Sequence, residues 1–253
     1  MIWEKDLWVN PNIPYLFNRE IIEYDMKSAG LSLIREYKLL PEKQIEKLLK
    51  LGKQDLNRKI GLMERDNKEL VKQKKEAFKN AREAFFRMNG LEDNDVLAIK
   101  KDAIFCTKRC KNCQIGTYIL FREKNRYSSY IKLNKGKLEL YYAHDYADDH
   151  LDVKGIGEEN LKLHDPGMTA FFWQFFRHME MESAESTLMW MRTIVDMYKS
   201  LQLPLCYYRQ FNAKSSYILK NGEEYMEYWD DKIEDVDISY NYYLLMNLLK
   251  ILL

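Results

Sequence analysis

The sequence predicts an α+β protein: an antiparallel sheet, a helical insertion at about 41–90, and a helical C-terminal lobe. Three observations predict it. Short β-prone apolar runs at 20–25, 96–99 and 103–105 are separated by turn residues. Asp66 to Asn89 repeats apolar residues at helical spacing, and helical periodicity returns beyond Pro166. With 46% apolar and 31% charged residues in 253, the chain reads as a soluble globular protein of one large domain or a few lobes, and disorder is excluded.

Residues 1–18 carry Trp3, Trp8, Pro11, Pro14, Tyr15 and Phe17 and read as an irregular aromatic lead-in packed across a neighbouring lobe. Glu20 to Asp25 alternates like a strand that ends on an acid. From Ser28 the pattern turns helical, with Leu31, Ile34 and Leu39 inward. Pro41 to Leu51 is a short helix with Gly52 just past its end and Ile45, Leu48 and Leu49 as its apolar face. The long helix at 66–89 is closed by Gly90, with Val71, Phe78, Ala81, Phe85 and Met88 on one side. Lys72, Lys75, Lys79 and Arg82 recur at spacings of three and four, so they share a face. Such a stripe is either a solvated helix face or a cationic rail for phosphates.

Val96–Ile99 and Ala103–Phe105 form a hairpin with Asp102 at the tip. Alone it is a buried turn with a solvated acid. Three further strands follow at 116–122, 127–133 and 138–142, joined by turns at 123–126 and 134–137, and residues 143–160 read as a polar loop. Helices are expected at 167–181 and, capped by Ser183, at 184–201. An acidic stretch at 223–237 precedes a helical end.

Charge and targeting narrow the function classes. A net charge of +1 requires any nucleic-acid binding to use local basic patches. The N-terminus has no apolar targeting core, and Tyr242–Leu253 is too short for a membrane span and is broken by Asn247 and Lys250. Four cysteines without a signal peptide point to a reducing cytoplasm and free thiols.

Asp25 and Asp102 close two separate strand signals with a helical insertion between them. Two carboxylates brought together from different strands are what two-metal phosphoryl transfer needs. Here a family resemblance enters. Asp25-Met26-Lys27-Ser28 resembles the start of motif A of family B DNA polymerases, Asp-x-x-Ser-Leu-Tyr. Lys101-Asp102-Ala103-Ile104-Phe105 resembles the second half of motif C, Asp-Thr-Asp-Ser-Ile-Phe. Lys124-Asn125-Arg126-Tyr127 resembles the Lys-Lys-x-Tyr element that touches the primer–template duplex. Leu151-Asp152-Val153-Lys154-Gly155-Ile156 is similar to the Lys-Gly element that follows it. The resemblance covers about 20–160.

It implies a palm-like sheet from 1–40 and 91–142, a fingers-like insertion at 41–90 and a thumb-like region at 143–253. It also implies template-directed synthesis of DNA or of RNA primers, with Mg²⁺ or Mn²⁺ on Asp25 and Asp102. Ser28 and Gly30 would lie near the incoming nucleoside triphosphate, and Lys124, Arg126, Tyr127, Lys154 and Gly155 would hold the primer–template. The family's fingers motif is absent, so Lys75 and Lys79 are taken from the basic stripe. Lys100 stands where motif C has its first acid, and Gly30 stands where the family's tyrosine blocks a ribose 2′-hydroxyl. There is no room for an exonuclease domain, which suits a minimal enzyme of phage or mobile-element type.

The alternatives are a catalytically silent, polymerase-derived protein that binds nucleic acid or protein, and a metal protein. Cys106, Cys110 and Cys113 resemble the cluster motif of radical S-adenosylmethionine enzymes, and a zinc site would be completed by Cys206 or a histidine. His144, Asp145, Asp148, Asp149 and His150 form a second metal candidate. His164 and His178 read as surface or packing residues. Phe171, Phe172, Trp173, Phe175 and Phe176 read as core at helical spacing, with base stacking as the rival.

Overall fold

The structure is a computed structural model that describes residues 1–133, 138–144, 150–155, 166–208, 218–220, 223–225 and 235–253. It is α+β, with antiparallel strand pairing in two main sheets. The chain divides into two units, Met1–Ile13 with Glu20–Arg126, and Pro14–Arg19 with Tyr127–Leu253. Among the described residues no helix is long and apolar enough to cross a membrane.

In the first unit, β1 (Leu7–Val9), β3 (Ile21–Met26), β4 (Val96–Lys100), β5 (Ala103–Cys106) and β6 (Phe121–Tyr127) form a sheet in the order β1-β4-β5-β3-β6. Alternation along β3 sends Ile22, Tyr24 and Met26 into the core and leaves Glu23 and Asp25 for the opposite face. In β4 the register shifts between Val96 and Ala98, so Val96 and Ile99 enter the same core although they are an odd number of residues apart. Four helices follow β3: α1 (Ala29–Glu36), α2 (Glu42–Leu49), α3 (Lys53–Asp66) and α4 (Lys68–Asn89). Ala77, Ala81, Phe85 and Phe86 of α4 cover the sheet, while Ile34, Ile45, Leu48, Leu56 and Ile60 join α1, α2 and α3 in a smaller cluster.

The α4 helix has the ends its sequence encodes. The Asn67 side chain accepts a hydrogen bond from Leu70 N at 3.0 Å, and Gly90 adopts φ +56°. Its basic stripe needs a correction. Arg82 is fully buried and donates to Trp3 O at 2.8 Å, Lys101 O at 2.9 Å and Asp6 Oδ1 at 3.1 Å. A guanidinium with that many partners ties the N-terminal segment to the β4–β5 turn, and only Lys72, Lys75 and Lys79 remain on the outer face. Leu49 and Met88, expected inward, are exposed.

The second unit has a sheet in the order β2-β7-β8-β9, from β2 (Tyr15–Leu16), β7 (Ser129–Leu133), β8 (Leu138–Ala143) and β9 (His150–Lys154). The expected strands at 127–133 and 138–142 therefore build a second sheet. Helices α5 (Pro166–Met181), α6 (Ala184–Lys199) and α7 (Asp235–Leu252), and a β10 (Ile218–Lys220)–β11 (Glu223–Tyr225) hairpin, complete the described part. Phe171, Phe172, Phe175 and Phe176 are fully buried against Ile131, Leu140, Tyr142 and Leu245, so the aromatic run is core and offers no stacking face.

Three further expectations change, and one helix is added within the expected insertion. The lead-in is not irregular, because β1 pairs with β4 and β2 with β7. Residues 53–66 form α3, inside the helical insertion expected at about 41–90, with Leu56 and Ile60 as its buried positions. The strand expected at 116–122 begins at Phe121 and runs through the supposed turn at 123–126. As an edge strand it carries charges where a central strand carries apolar side chains. Part of the supposed loop at 143–160 is β9, another edge strand. Asp145, Asp148, Asp149 and His164 lie outside the described residues.

Candidate active site

Asp25 lies near the end of β3, where it pairs in register with Ala103, and Met26 N donates to Asp102 O at 3.0 Å. Asp102 follows Lys101, which takes the left-handed φ of +57° that makes the β4–β5 turn tight. Two acids far apart in sequence therefore share one end of the first sheet. Burial pushes the Asp25 carboxyl above the ordinary carboxylate range, and the charge of Asp102 pushes it further. Lys124 and Arg122 oppose that shift, with Arg122 Nη2 at 3.6 Å from Asp25 Oδ2. Sequence reasoning missed Arg122, since only the β3–β6 neighbourhood brings it here.

The donor set suits a hard divalent cation. Among the described residues no three His, Cys, Asp or Glu side chains gather as a metal-holding group. Two carboxylates match the way Mg²⁺ is often held, by one or two protein oxygens with water and substrate phosphates supplying the rest. Asp25, whose ionisation is opposed by burial and by Asp102, is a carboxyl that a bound cation would stabilise in its charged form.

The basic residues around this end are engaged within the fold. Buried Glu23 accepts from Lys124 Nζ at 3.1 Å and Asn125 Nδ2 at 2.6 Å. Arg126 pairs with Glu123 and with Glu20 at 3.5 Å. In the second unit the Tyr127 hydroxyl bonds to Asp152, Lys154 Nζ lies 3.4 Å from the same carboxylate, and His150 Nε2 lies 3.0 Å from it. Burial of Asp152 opposes its ionisation, but the Tyr127 hydroxyl, Lys154 and His150 outweigh that and hold it below the usual range. Gly155 is exposed with φ +101°. The expected duplex contacts are thus split between the two units.

The expected nucleotide-binding residues lie in the first unit. Ser28 has φ +49° at the start of α1 and, with Lys27, Ser32, Arg35, Thr117 and Tyr118, lines a cavity of about 320 Å³. A Cβ on Gly30 would make ordinary contacts, 3.4 Å to Ile60 Cδ1 and 3.7 Å to Lys74 Nζ. Lys75 lines a cleft of about 170 Å³ with Lys74, Phe78 and Lys101, the neighbour of Asp102. It also lines a wider groove that includes Lys72 and Lys79, and Lys79 Nζ is 3.4 Å from Glu76. Lys74, bonded to Glu64, and Lys101 were not singled out by the stripe, because they reach the cleft only through the fold.

The three cysteines of the metal alternative lie close together at and just after the end of β5. Cys106 and Cys110 sulfurs contact Lys108 O and Cys113 contacts Cys110 O, and these three thiols belong to no metal-holding group among the described residues. The side chain of Cys206 lies outside the described ones.

Over residues 1–253 the chain belongs to the family described as Bacteriophage PBS1 gene 130 protein. No curated protein matches the sequence.

Proposed function

We propose that this member of a phage protein family is a nucleotidyltransferase that extends a primer on a nucleic-acid template from nucleoside triphosphates. The observation that carries the reading is the meeting of Asp25 and Asp102 at one end of the first sheet, with α1–α4 inserted between them in the chain. In this reading the first sheet acts as a palm, α2–α4 as fingers, and the helices of the second unit as a thumb.

Mg²⁺ or Mn²⁺ bound there supplies activation of the primer 3′-hydroxyl and neutralisation of the departing pyrophosphate. Asp25 and Asp102 would hold the cations through their carboxylate oxygens. Arg122 and Lys124 favour the ionised form of Asp25, which burial alone disfavours. Lys75 and Lys101, lining one cleft beside the turn, bind phosphate oxygens of the incoming nucleotide as point charges. Glycine at position 30 leaves no aromatic side chain to reject a ribose, so ribonucleotides are accepted.

Primer-extension assays with deoxynucleotides and with ribonucleotides, in Mg²⁺ and in Mn²⁺, test the proposal. Incorporation is expected to fall at least about 100-fold in Asp102→Asn, the scale of losing one preorganised charge-stabilising group. Incorporation that survives the substitution refutes the assigned site, and strict rejection of ribonucleotides by an active enzyme removes the sugar reading.

A second reading is favoured by one specific feature. Arg122 already sits 3.6 Å from Asp25 and with Lys124 partly neutralises it, and Lys100 replaces an acid expected of an active site. A catalytically silent binding protein would bind primer–template with salt-sensitive affinity and no dependence on metal.

A further inference from the structure

The chain leaving β5 folds back so that two thiols converge on one backbone oxygen. Cys106 Sγ lies 3.3 Å from Lys108 O and Cys110 Sγ lies 3.7 Å from it. The two side chains also come within interaction range of one another. Their positions are fixed from outside the loop: Thr107 N donates to Asp95 O at 2.8 Å, and Cys110 N donates to the Tyr24 hydroxyl oxygen at 2.8 Å. Lys108 Nζ, bonded to Gly90 O at 2.6 Å, adds positive charge beside Cys110.

The two sulfurs are chemically unequal. The interaction between them, with burial, pushes the Cys106 thiol well above its ordinary range. The same interaction pulls Cys110 below its ordinary range against its own burial, helped by the Tyr24 hydroxyl and Lys108. A thiolate-prone sulfur beside a second thiol is the arrangement of an attacking cysteine with its resolving partner. Cys110 retains slight exposure, 7%, whereas Cys106 has none.

We propose that Cys106 and Cys110 are a redox dithiol, a modification site that hydrogen peroxide converts to an intramolecular disulfide. The Cys110 thiolate attacks the O–O bond, becomes a sulfenic acid and releases hydroxide, which takes up a proton to leave as water. The Cys106 sulfur then attacks the sulfenic sulfur. The S–O bond breaks, and the sulfenic hydroxyl takes the Cys106 proton and leaves as a second water. Two thiols lose two electrons in total, and the peroxide gains them. The proposal does not depend on nucleotidyl transfer.

The full-length reduced protein is treated with peroxide, quenched, denatured, alkylated and digested with trypsin. Cleavage after Lys108, Arg109 and Lys111 separates all three cysteines, so a disulfide appears as two linked peptides. The expected result is a link between the Cys106 and Cys110 peptides, two of the four thiols lost to alkylation, and the same link in Cys113→Ser. In Cys106→Ser, dimedone should label Cys110. Full alkylation after oxidation, or a link that joins Cys113 in the wild-type protein, overturns the proposal. The wild-type peptide map decides even where a serine variant folds poorly.

Discussion

Asp25 shows what a candidate catalytic residue costs its fold. Burial and Asp102 place its folded pKa above the unfolded value, so the native state binds a proton more readily than the unfolded chain does. Stability therefore falls as pH rises from the unfolded pKa through the folded one, and the whole penalty is present near neutral pH. Asp25→Asn removes the ionisable group. The variant should unfold at higher urea than the wild type near neutral pH, and the gain should shrink as pH drops below the ordinary carboxylate range. A gain that is the same at both pH values would show that titration is not its source. A stability gain paired with lost incorporation is the trade-off of a functional acid. Arg82 carries the opposite lesson. Its spacing placed it on a surface stripe, yet three oxygens from Trp3, Lys101 and Asp6 hold it inside, and those partners are invisible to helical periodicity.

At the level of elements, α4 was legible at both ends because caps are local chemistry. Asn67 and Gly90 satisfy orphaned backbone groups within a turn of themselves. Asn67→Ala should lower unfolding free energy by about 1 kcal/mol, read from urea denaturation, while Asn67→Asp should keep most of it. Equal losses in both would mean the side-chain oxygen is not the cause. The hairpin of β4 and β5 was legible for a similar reason, since both strands are apolar apart from Lys100 at the end of β4. Elements at the margins were not. The α3 helix buries a thin stripe, β6 and β9 are edges that carry charge, and β1 is three residues long. Each takes its identity from the strand or helix it meets, and the local pattern is too short or too polar to announce it.

For the whole molecule, charge bounds how the proposed template would be held. The chain carries a net +1, and Lys124, Arg126 and Lys154 each face a carboxylate within the fold. Primer–template binding should therefore weaken only modestly with salt, with a log–log slope of roughly −2 to −4, well below that of proteins making 6–10 phosphate contacts. Filter binding across a salt series measures it, and a slope near −8 would show that these ion pairs open to release their cations. The sequence by itself determined the periodicities, the caps of α4, the hairpin at 96–106 and the two acids that close strands, because each depends on neighbours a few residues away. Only the tertiary structure decided that Asp25 and Asp102 share one end of a sheet, that Arg122 stands beside Asp25, that Arg82 turns inward, and that the strands after Tyr127 form a second sheet. Those outcomes depend on which faces bury one another across long stretches of chain, and no local spacing encodes that choice.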